Sequence, residues 1–219
     1  SYNSYLVVDE KVALIDTVEC GFEEEFLSNI EEAIGDRHID YLVVNHMEPD
    51  HSSLIEYVME KYPDLMIVAN AKTVPMLKGY HGTPDEKIMV MSEGAKLSLG
   101  SCSLSFHMIP MVHWPETMVT WFEEEGTVFS GDAFGTFGTV HEEITDDEDT
   151  FDQYRDEMIR YYSNIVGKYG TQPERGTQRK RQKTAHDCFR SLVNHRNVSP
   201  LEVKNSVTVG MDEWSFPVS

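Results

Sequence analysis

Apolar positions recur along the chain with the periods of strands and helices, beginning with two short β-rich runs. The segments "SYLVV" and "KVALIDT" stand on either side of a polar turn and predict a β-hairpin. The next segment, "GFEEEFLSNIEEAIG", places Phe22, Phe26 and Ile30 on one helical face and acidic residues in its first turn, which predicts a helix. The run "YLVVN" is apolar throughout, as expected of a strand that is covered on both faces.

The middle of the chain alternates helical and strand signals and then turns to strands alone. We predict helices in "SSLIEYVMEKYP" and "AKTVPMLKGYHG" and strands in "LMIVAN" and "KIMVM". From 96 to 130, "KLSLG", "SCSLSFHMIP", "TMVTWF" and "TVFSGD" predict further strands. A long helix is then predicted from an apolar stripe: Phe151, Tyr154, Met158, Tyr162, Ile165 and Tyr169. This order of elements predicts an α/β protein of layered sheets with helices outside them.

Composition narrows the functional classes without changing this picture. The 219 residues, of which 40% are hydrophobic, fit one large domain over 1–219. A net charge of −20 argues against sequence-independent binding to nucleic acid or to an anionic membrane, since both favour basic patches. No apolar run approaches the about 20 residues of a membrane-spanning helix. Cys20, Cys102 and Cys188 are too few and too far apart for a disulfide framework, so we expect a cytoplasmic protein.

Side chains that can bind a cation follow several of the predicted strands. Four of them lie within six positions directly after "YLVVN", a fifth follows "HMIPMV", and a sixth follows "TVFSG". A single His or Asp at the end of a strand is usually structural, but loops at strand ends can gather several such side chains into one site. We therefore predict a metal site formed by six candidate ligands: His46, Glu48, Asp50, His51, His113 and Asp132.

The spacing of these residues resembles the metallo-β-lactamase superfamily, whose opening motif is H-x-H-x-D-H. Glu48 stands here in place of the second His of that motif. This change resembles the flavodiiron proteins, which reduce dioxygen to water or nitric oxide to nitrous oxide. The segments "NHMEPDHS", "HWPETM" and "SGDAFGTFG" carry the resemblance, which extends over residues 1 to about 170. It implies a metallo-β-lactamase-like αββα sandwich.

The chemistry of Glu48 favours iron over zinc. A carboxylate in place of a neutral imidazole adds negative charge and a hard oxygen donor. Zinc hydrolase sites prefer nitrogen and sulfur donors, whereas mixed imidazole and carboxylate ligation suits iron. The alternative is a binuclear zinc hydrolase of the same superfamily, since a shared fold does not decide the function.

The resemblance implies two iron ions and a division of the ligands between them. His46, Glu48 and His113 would hold the first iron. Asp50 and His51 would hold the second, and Asp132 would bridge the two. In some flavodiiron proteins the residue that matches His51 turns away from the metal. We also expect Trp114 and Glu116, which follow His113 closely, to shape the pocket or to orient His113.

A late histidine completes the site in the family, and this chain offers two candidates. His195 fits the spacing both from Asp132 and to Trp214 in "MDEWS", whereas His186 does not fit both. We therefore expect His195 to be the further ligand of the second iron. The surrounding segment 171–210 is atypical of the family, because Arg196 and Asn197 replace the expected Gly-Pro.

The resemblance also implies how electrons would reach the irons. Flavodiiron proteins carry FMN on a flavodoxin-like domain, and a head-to-tail dimer brings the FMN of one subunit to the irons of the other. Nothing here resembles a flavodoxin phosphate loop, and we expect an N-terminally incomplete chain from which that domain is absent. The expected partners are a separate flavodoxin-like domain or a rubredoxin-type donor, with dioxygen or nitric oxide as substrate, in a homodimer or tetramer.

Overall fold

A computed structural model gives the fold of residues 3–132, 155–157, 159–167 and, for the backbone alone, 206–208. The strands in this part of the chain are β1 (Tyr5–Val8), β2 (Val12–Ile15), β3 (Tyr41–Val43), β4 (Met66–Asn70), β5 (Ile88–Met91), β6 (Lys96–Ser98), β7 (Ser103–Met108), β8 (Met118–Phe122), β9 (Thr127–Phe129) and β10 (Ser206–Thr208). The α-helices are α1 (Glu23–Ile34), α2 (Pro49–Ser52), α3 (Ile55–Lys61) and α4 (Val74–His81). A 3₁₀ turn spans Asp85–Lys87, and a π-helix spans Tyr162–Val166.

The strands form two sheets. The first has the order β10-β1-β2-β3-β4-β5, in which β2, β3, β4 and β5 run parallel and β1 is antiparallel to both of its neighbours. The second is an antiparallel sheet of order β6-β7-β8-β9. The hairpin of β1 and β2 and the strand-rich block from 96 to 130 are confirmed. The pairing of β10 with β1 was not anticipated.

Alternate residues of the first sheet point into two different hydrophobic cores. Leu14 and Leu42 lie in the core that also contains Phe26 of α1 and Val58 of α3. Ala13, Ile15, Val43 and Val68 lie in a second core shared with the facing sheet: Leu97, Leu104, Phe106, Met118 and Phe122. Strands that are buried on both faces read as continuous apolar runs, which explains "VALI" and "YLVV". The α/β class and its helix–sheet–sheet layering are therefore confirmed.

The helix predicted over "SSLIEYVMEKYP" is found as α3, and an additional short helix, α2, precedes it. Ser53 and Leu54 separate α2 from α3, because the Leu54 N–H donates to the Thr17 hydroxyl at 3.3 Å. The Ser52 hydroxyl donates to the carbonyls of Met47 and Glu48, a side-chain bond that competes with continued helix. The chain instead begins a short helix at Pro49, whose fixed φ and missing N–H suit a first helical position.

The long helix predicted after 150 is seen in part. Residues 155–157 and 159–161 are helical, and the π-helix follows them. Tyr162 is exposed there, although the predicted apolar stripe includes it, whereas Val166 is buried and packs near Val112. A π-helix widens the turn and so shifts the faces that a 3.6-residue period predicts. Within the described part of the chain, no helix is both long enough and apolar enough to cross a membrane.

The two sheets meet at the ends that carry the candidate ligands. The carboxyl end of β3 leads to Asn45, whose carbonyl accepts from the Met118 N–H at the start of β8, at 3.0 Å. The Asn45 side chain donates to the Phe129 carbonyl at 3.2 Å and accepts from the Thr120 hydroxyl at 2.7 Å. Asn45 is buried, so these bonds hold the end of β3 against β8 and β9.

Replacing Asn45 should therefore weaken the contact between the sheets. Asn45→Ala removes two buried hydrogen bonds, and we expect the free energy of unfolding to fall by ~1–3 kcal/mol in chemical denaturation. The matched control is Asn164→Ala, because the Asn164 amide also donates to a carbonyl but is exposed. That control should change stability by less than ~0.5 kcal/mol. Equal losses in the two variants would contradict a structural role for Asn45.

Candidate metal centre

The structure brings the six candidate ligands of the sequence analysis together at the edge where the two sheets meet. They form two groups, and within each group the potential donor atoms all lie within 4.8 Å of one another. The first group comprises His46, Glu48, His113 and Asp132, and the second comprises Asp50, His51 and Asp132. Asp132 belongs to both groups.

The first group surrounds a point between two imidazoles and two carboxylates. The Nε2 atom of His113 lies 2.9 Å from Glu48 Oε2 and 3.2 Å from Asp132 Oδ2. The Nε2 atom of His46 lies 3.3 Å from the same Glu48 oxygen and 3.8 Å from the same Asp132 oxygen. Both histidines thus direct the same ring nitrogen toward one place, as metal-binding histidines do.

The second group uses the other oxygen of Asp132. The Nε2 atom of His51 lies 2.8 Å from Asp132 Oδ1 and 3.7 Å from Asp50 Oδ2. The remaining oxygen of Asp50, Oδ1, is buried and has no hydrogen-bond partner among the described residues. A buried carboxylate oxygen without a donor is costly unless a cation satisfies it. The arrangement therefore fits two cations, with one oxygen of Asp132 directed at each.

Four of these side chains lie in the segment 46–51, whose backbone is held by the two residues that follow β2. The Thr17 N–H and hydroxyl both donate to the His51 carbonyl, at 2.8 and 2.9 Å. Asp16 accepts from the Asn45 N–H at 2.7 Å. Asp16 is a further functional candidate that the sequence analysis missed. As a polar residue directly after "VALI", it carries the same strand-end signal as the predicted ligands.

Aromatic and acidic neighbours hold the histidine rings. The Trp114 ring lies edge-on to His46, with centroids 5.3 Å apart, and His46 is in turn edge-on to His113 at 5.1 Å. Glu116 accepts from the Nδ1 atom of His46 at 2.9 Å. The expectation that Glu116 orients His113 is therefore wrong, since its carboxylate binds the histidine 70 positions earlier in the chain.

The electrostatics of the metal-free site reflect this crowding of acids and imidazoles. Burial opposes ionisation of Asp132, but hydrogen bonds from His113 and His51 outweigh it and lower the Asp132 pKa. Burial disfavours the His51 cation, yet the Asp132 hydrogen bond and the charges of Asp16 and Asp50 raise the His51 pKa to about 9. The hydrogen bond from His113 to Asp132 likewise raises the His113 pKa. Positive charge is thus favoured at the centre, which a metal cation would supply in place of protons.

Burial acts on the acids around this centre as well. It raises the Asp16 pKa to about 6, against the opposing charge of His51 and the bond from Asn45. It also raises the pKa of Asp50. For Glu116 burial is outweighed by the hydrogen bond from His46, and the pKa is lowered.

Tyr161 lies near the acidic side of the centre and was not singled out from the sequence. Burial raises its pKa, and the charges of Asp132, Glu48 and Asp50 raise it further. The predicted apolar stripe included Tyr162 instead, and that residue is exposed. The late histidine candidates, His195 and His186, lie outside the described residues.

Comparisons with known proteins place this geometry in a family context. A model of the family described as "ODP family beta lactamase" matches residues 1–169. The anaerobic nitric oxide reductase flavorubredoxin of Aliivibrio fischeri is 38% identical over 167 residues, which cover 76% of this chain and 34% of that protein. The chain thus spans about a third of the length of this curated relative.

Solved structures agree in fold. The rubredoxin oxygen:oxidoreductase from the anaerobe Desulfovibrio gigas matches with a TM-score of 0.75 and 28% identity, covering 87% of this chain and 51% of that one. The flavodiiron protein of Giardia intestinalis matches with a TM-score of 0.73 and 29% identity, covering 81% of this chain and 43% of that one. The predicted metallo-β-lactamase-like fold is therefore confirmed.

The position of Asp132 between the two groups makes a distinguishing prediction about metal content. Asp132→Ala removes a donor from both groups and should lower the occupancy of both positions. Asp50→Ala removes a donor from the second group alone and should lower the total by up to one ion per chain. Metal analysis after loading and desalting measures both effects. Asp85→Ala is the control, because Asp85 is exposed and pairs with Lys78. Equal losses in the Asp132 and Asp50 variants would contradict a shared carboxylate.

Proposed function

Because the chain belongs to the ODP family of beta-lactamase domains, we propose that it is the diiron domain of a flavodiiron oxidoreductase. Its reaction is the reduction of dioxygen to water, of nitric oxide to nitrous oxide, or of both. The observation that carries this proposal is the pair of donor groups joined by Asp132, with Glu48 contributing a carboxylate to the first group. Imidazole and carboxylate donors together suit iron, which changes oxidation state, better than zinc.

The ligands divide between the two irons as the geometry divides the donors. We assign His46, Glu48 and His113 to the first iron, Asp50 and His51 to the second, and Asp132 to both. His195 completes the second set. Its support is the spacing from Asp132 and to Trp214. The domain that contains these residues spans 1–219.

The chain's own residues hold and orient the reacting centre. When bound, two iron ions would supply two electrons by changing from the ferrous to the ferric state. Glu48, Asp50 and Asp132 would offset part of the charge of such a pair. Thr17 holds the backbone of His51, and the side chains of His51 and Asp132 hold each other by a hydrogen bond. The edge-on Trp114 ring restricts the orientation of His46. These residues thus position the metals, whereas the electrons that would reduce the irons again must come from another group.

Electrons come from FMN, carried by a flavodoxin-like domain or by a separate partner. Reduction of dioxygen to water takes four electrons, whereas two irons supply two. Flavins carry electron chemistry that the protein positions but does not itself perform. A rubredoxin-type donor feeds the flavin, and a head-to-tail homodimer or a tetramer brings flavin and irons together in the cytoplasm. The printed names of the relatives, which include flavorubredoxin and rubredoxin oxygen:oxidoreductase, support such a chain of donors.

Iron loading tests the metal assignment. Protein prepared with ample iron should hold about two iron ions per chain, because the donor set mixes hard oxygens with imidazoles. Glu48→His restores the hydrolase-type donor and should shift loading from iron toward zinc when both metals are supplied. Glu123→His is the control, since Glu123 binds Ser105 and Lys96 instead of a candidate ligand. Stoichiometric zinc without iron in the unaltered chain would favour the hydrolase.

The same iron measurement tests the late histidine. His195→Ala should lower the occupancy of one iron, and His186→Ala should leave both in place. The reverse result would assign the role to His186. If neither substitution lowers the iron content, the segment 171–210 contributes no ligand.

Oxygen consumption tests the division of labour between this chain and a flavin. The iron-loaded and reduced 219-residue chain should consume a limited amount of dioxygen in one burst and then stop, as measured with an oxygen electrode. Adding a reduced flavodoxin-like domain should restore continuous consumption. Nitric oxide in place of dioxygen distinguishes the two substrates.

Two results would contradict this scheme. Steady turnover without any flavin, with a reduced rubredoxin-type protein as the only electron donor, would show that no flavin partner is required. The absence of a burst with both dioxygen and nitric oxide from iron-loaded, reduced protein would show that the chain acts on neither substrate.

A further inference from the structure

Glu116 is a buried carboxylate beside the metal centre that the proposed ligand set does not use. Its side chain is 0% exposed. One oxygen, Oε1, accepts from the His46 Nδ1 atom at 2.9 Å and from the Met47 N–H at 3.1 Å. The other oxygen, Oε2, is buried and has no hydrogen-bond partner among the described residues. A buried carboxylate held in this way needs a physical reason, because its desolvation is costly.

The loop between β7 and β8 directs Glu116 inward. Its backbone carbonyl accepts from the Asn70 side-chain amide at 2.5 Å. The Thr117 hydroxyl donates to the Trp114 carbonyl at 3.0 Å and closes a tight turn around it. The carboxylate is thus anchored from both the β4 end and its own loop, and it approaches His46 from the side opposite the metal centre.

This contact determines which nitrogen of His46 is available to a metal. An ionised carboxylate has acceptor atoms alone, and Oε1 already accepts from the Met47 N–H, so we infer that Nδ1 of His46 carries the proton of the shared hydrogen bond. The remaining nitrogen, Nε2, then carries its lone pair toward Glu48 and Asp132. Because the two nitrogens point in widely different directions from the ring, the bond to Glu116 also fixes the rotation of the imidazole.

We propose that Glu116 is a positioning residue that selectively strengthens metal binding at the first of the two positions, the one formed by His46, Glu48 and His113. It holds the required tautomer and orientation of His46. The Oε2 atom of Glu116 has no hydrogen bond among the described residues. The negative charge of this carboxylate is therefore compensated best when a cation binds to Nε2 of His46. The inference rests on the metal centre of the proposed function and adds a residue to it.

A second pairing in the chain provides a matched comparison. Glu93 accepts from the Nδ1 atom of His107 at 3.2 Å and from the Met108 N–H at 2.8 Å, so it contacts the same pair of groups, although with one oxygen for each. This pair is much more exposed than Glu116 and His46, because 37% of the His107 side chain and 45% of the Glu93 side chain are exposed to solvent. Neither residue belongs to a potential metal group in the described part of the chain.

The test compares Glu116→Gln and Glu116→Ala with Glu93→Gln, using ferrous iron added without oxygen. Gln keeps an acceptor for His46 but removes the charge, whereas Ala removes both. We expect the affinity of one iron position to fall by ~10–100-fold in Glu116→Gln and further in Glu116→Ala, as measured by competition with a chelator. The second position and the Glu93→Gln variant should retain the affinity of the unaltered chain. Thermal unfolding of the metal-free variants checks that each one folds.

The tautomer itself is measured in the zinc-loaded chain by long-range ¹H–¹⁵N spectroscopy of the histidine rings. The His46 Nδ1 proton should be strongly deshielded in the unaltered chain and should move upfield in Glu116→Gln, while Nε2 remains the metal-bound nitrogen. A destabilised fold alone would not produce this local change. If Glu116→Ala does not fold, the comparison of Glu116→Gln with the unaltered chain decides the question.

The outcomes separate this inference from the function on which it rests. An unaltered chain that binds no metal would overturn the metal centre itself. An unaltered chain that binds two ions, together with a Glu116→Gln variant that binds both equally well, would overturn the role of Glu116 alone. Equal weakening at both positions, or an equal loss in Glu93→Gln, would also overturn it, because the proposed effect is specific to one position.

Discussion

The candidate metal site of this protein depends on one carboxylate, that of Asp132, whose two oxygens contact different groups of donors. The two oxygens of Asp132 lie against different groups of donors, 2.8 Å from His51 and 3.2 Å from His113. Asp132 follows β9 of the antiparallel sheet, whereas His51 lies in α2, the short helix after β3 of the other sheet. The site therefore depends on the docking of the two sheets, to which their shared hydrophobic core and the buried contacts of Asn45 with β8 and β9 both contribute.

The same crowding explains why the centre favours cations. Three carboxylates and three imidazoles share a partly buried space, where positive charge is stabilised. Against the effect of burial, the hydrogen bond between His51 and Asp132 raises the pKa of His51 and lowers the pKa of Asp132. A metal cation would supply positive charge in place of protons, and the Glu116 carboxylate behind His46 extends the negative environment beyond the donors themselves.

Much of the fold was accessible from local patterns. The hairpin of β1 and β2, the continuous apolar runs of the parallel strands, and the strand-rich block after 96 were all predicted, because burial on one or both faces leaves a short period in the sequence. The short helix α2 was not predicted. Its separation from α3 depends on the Thr17 hydroxyl, which accepts from the Leu54 N–H 37 positions later in the chain. The exposure of Tyr162 was not predicted either, because this residue begins a π-helix that a 3.6-residue period does not encode.

The sequence by itself determined which donors exist and that they stand at the ends of strands, because residue type and hydrophobic period are local properties. The family resemblance, and not the local pattern, implied that those donors divide into two groups that share Asp132. Only the tertiary structure shows which of their atoms approach one another, with the donor atoms of each group within 4.8 Å. It also decided that Glu116 binds His46 and not the neighbouring His113. The physical reason is that side chains far apart in sequence meet through the register and docking of two sheets, and hydrogen-bond partners follow from distance in space, not from distance along the chain.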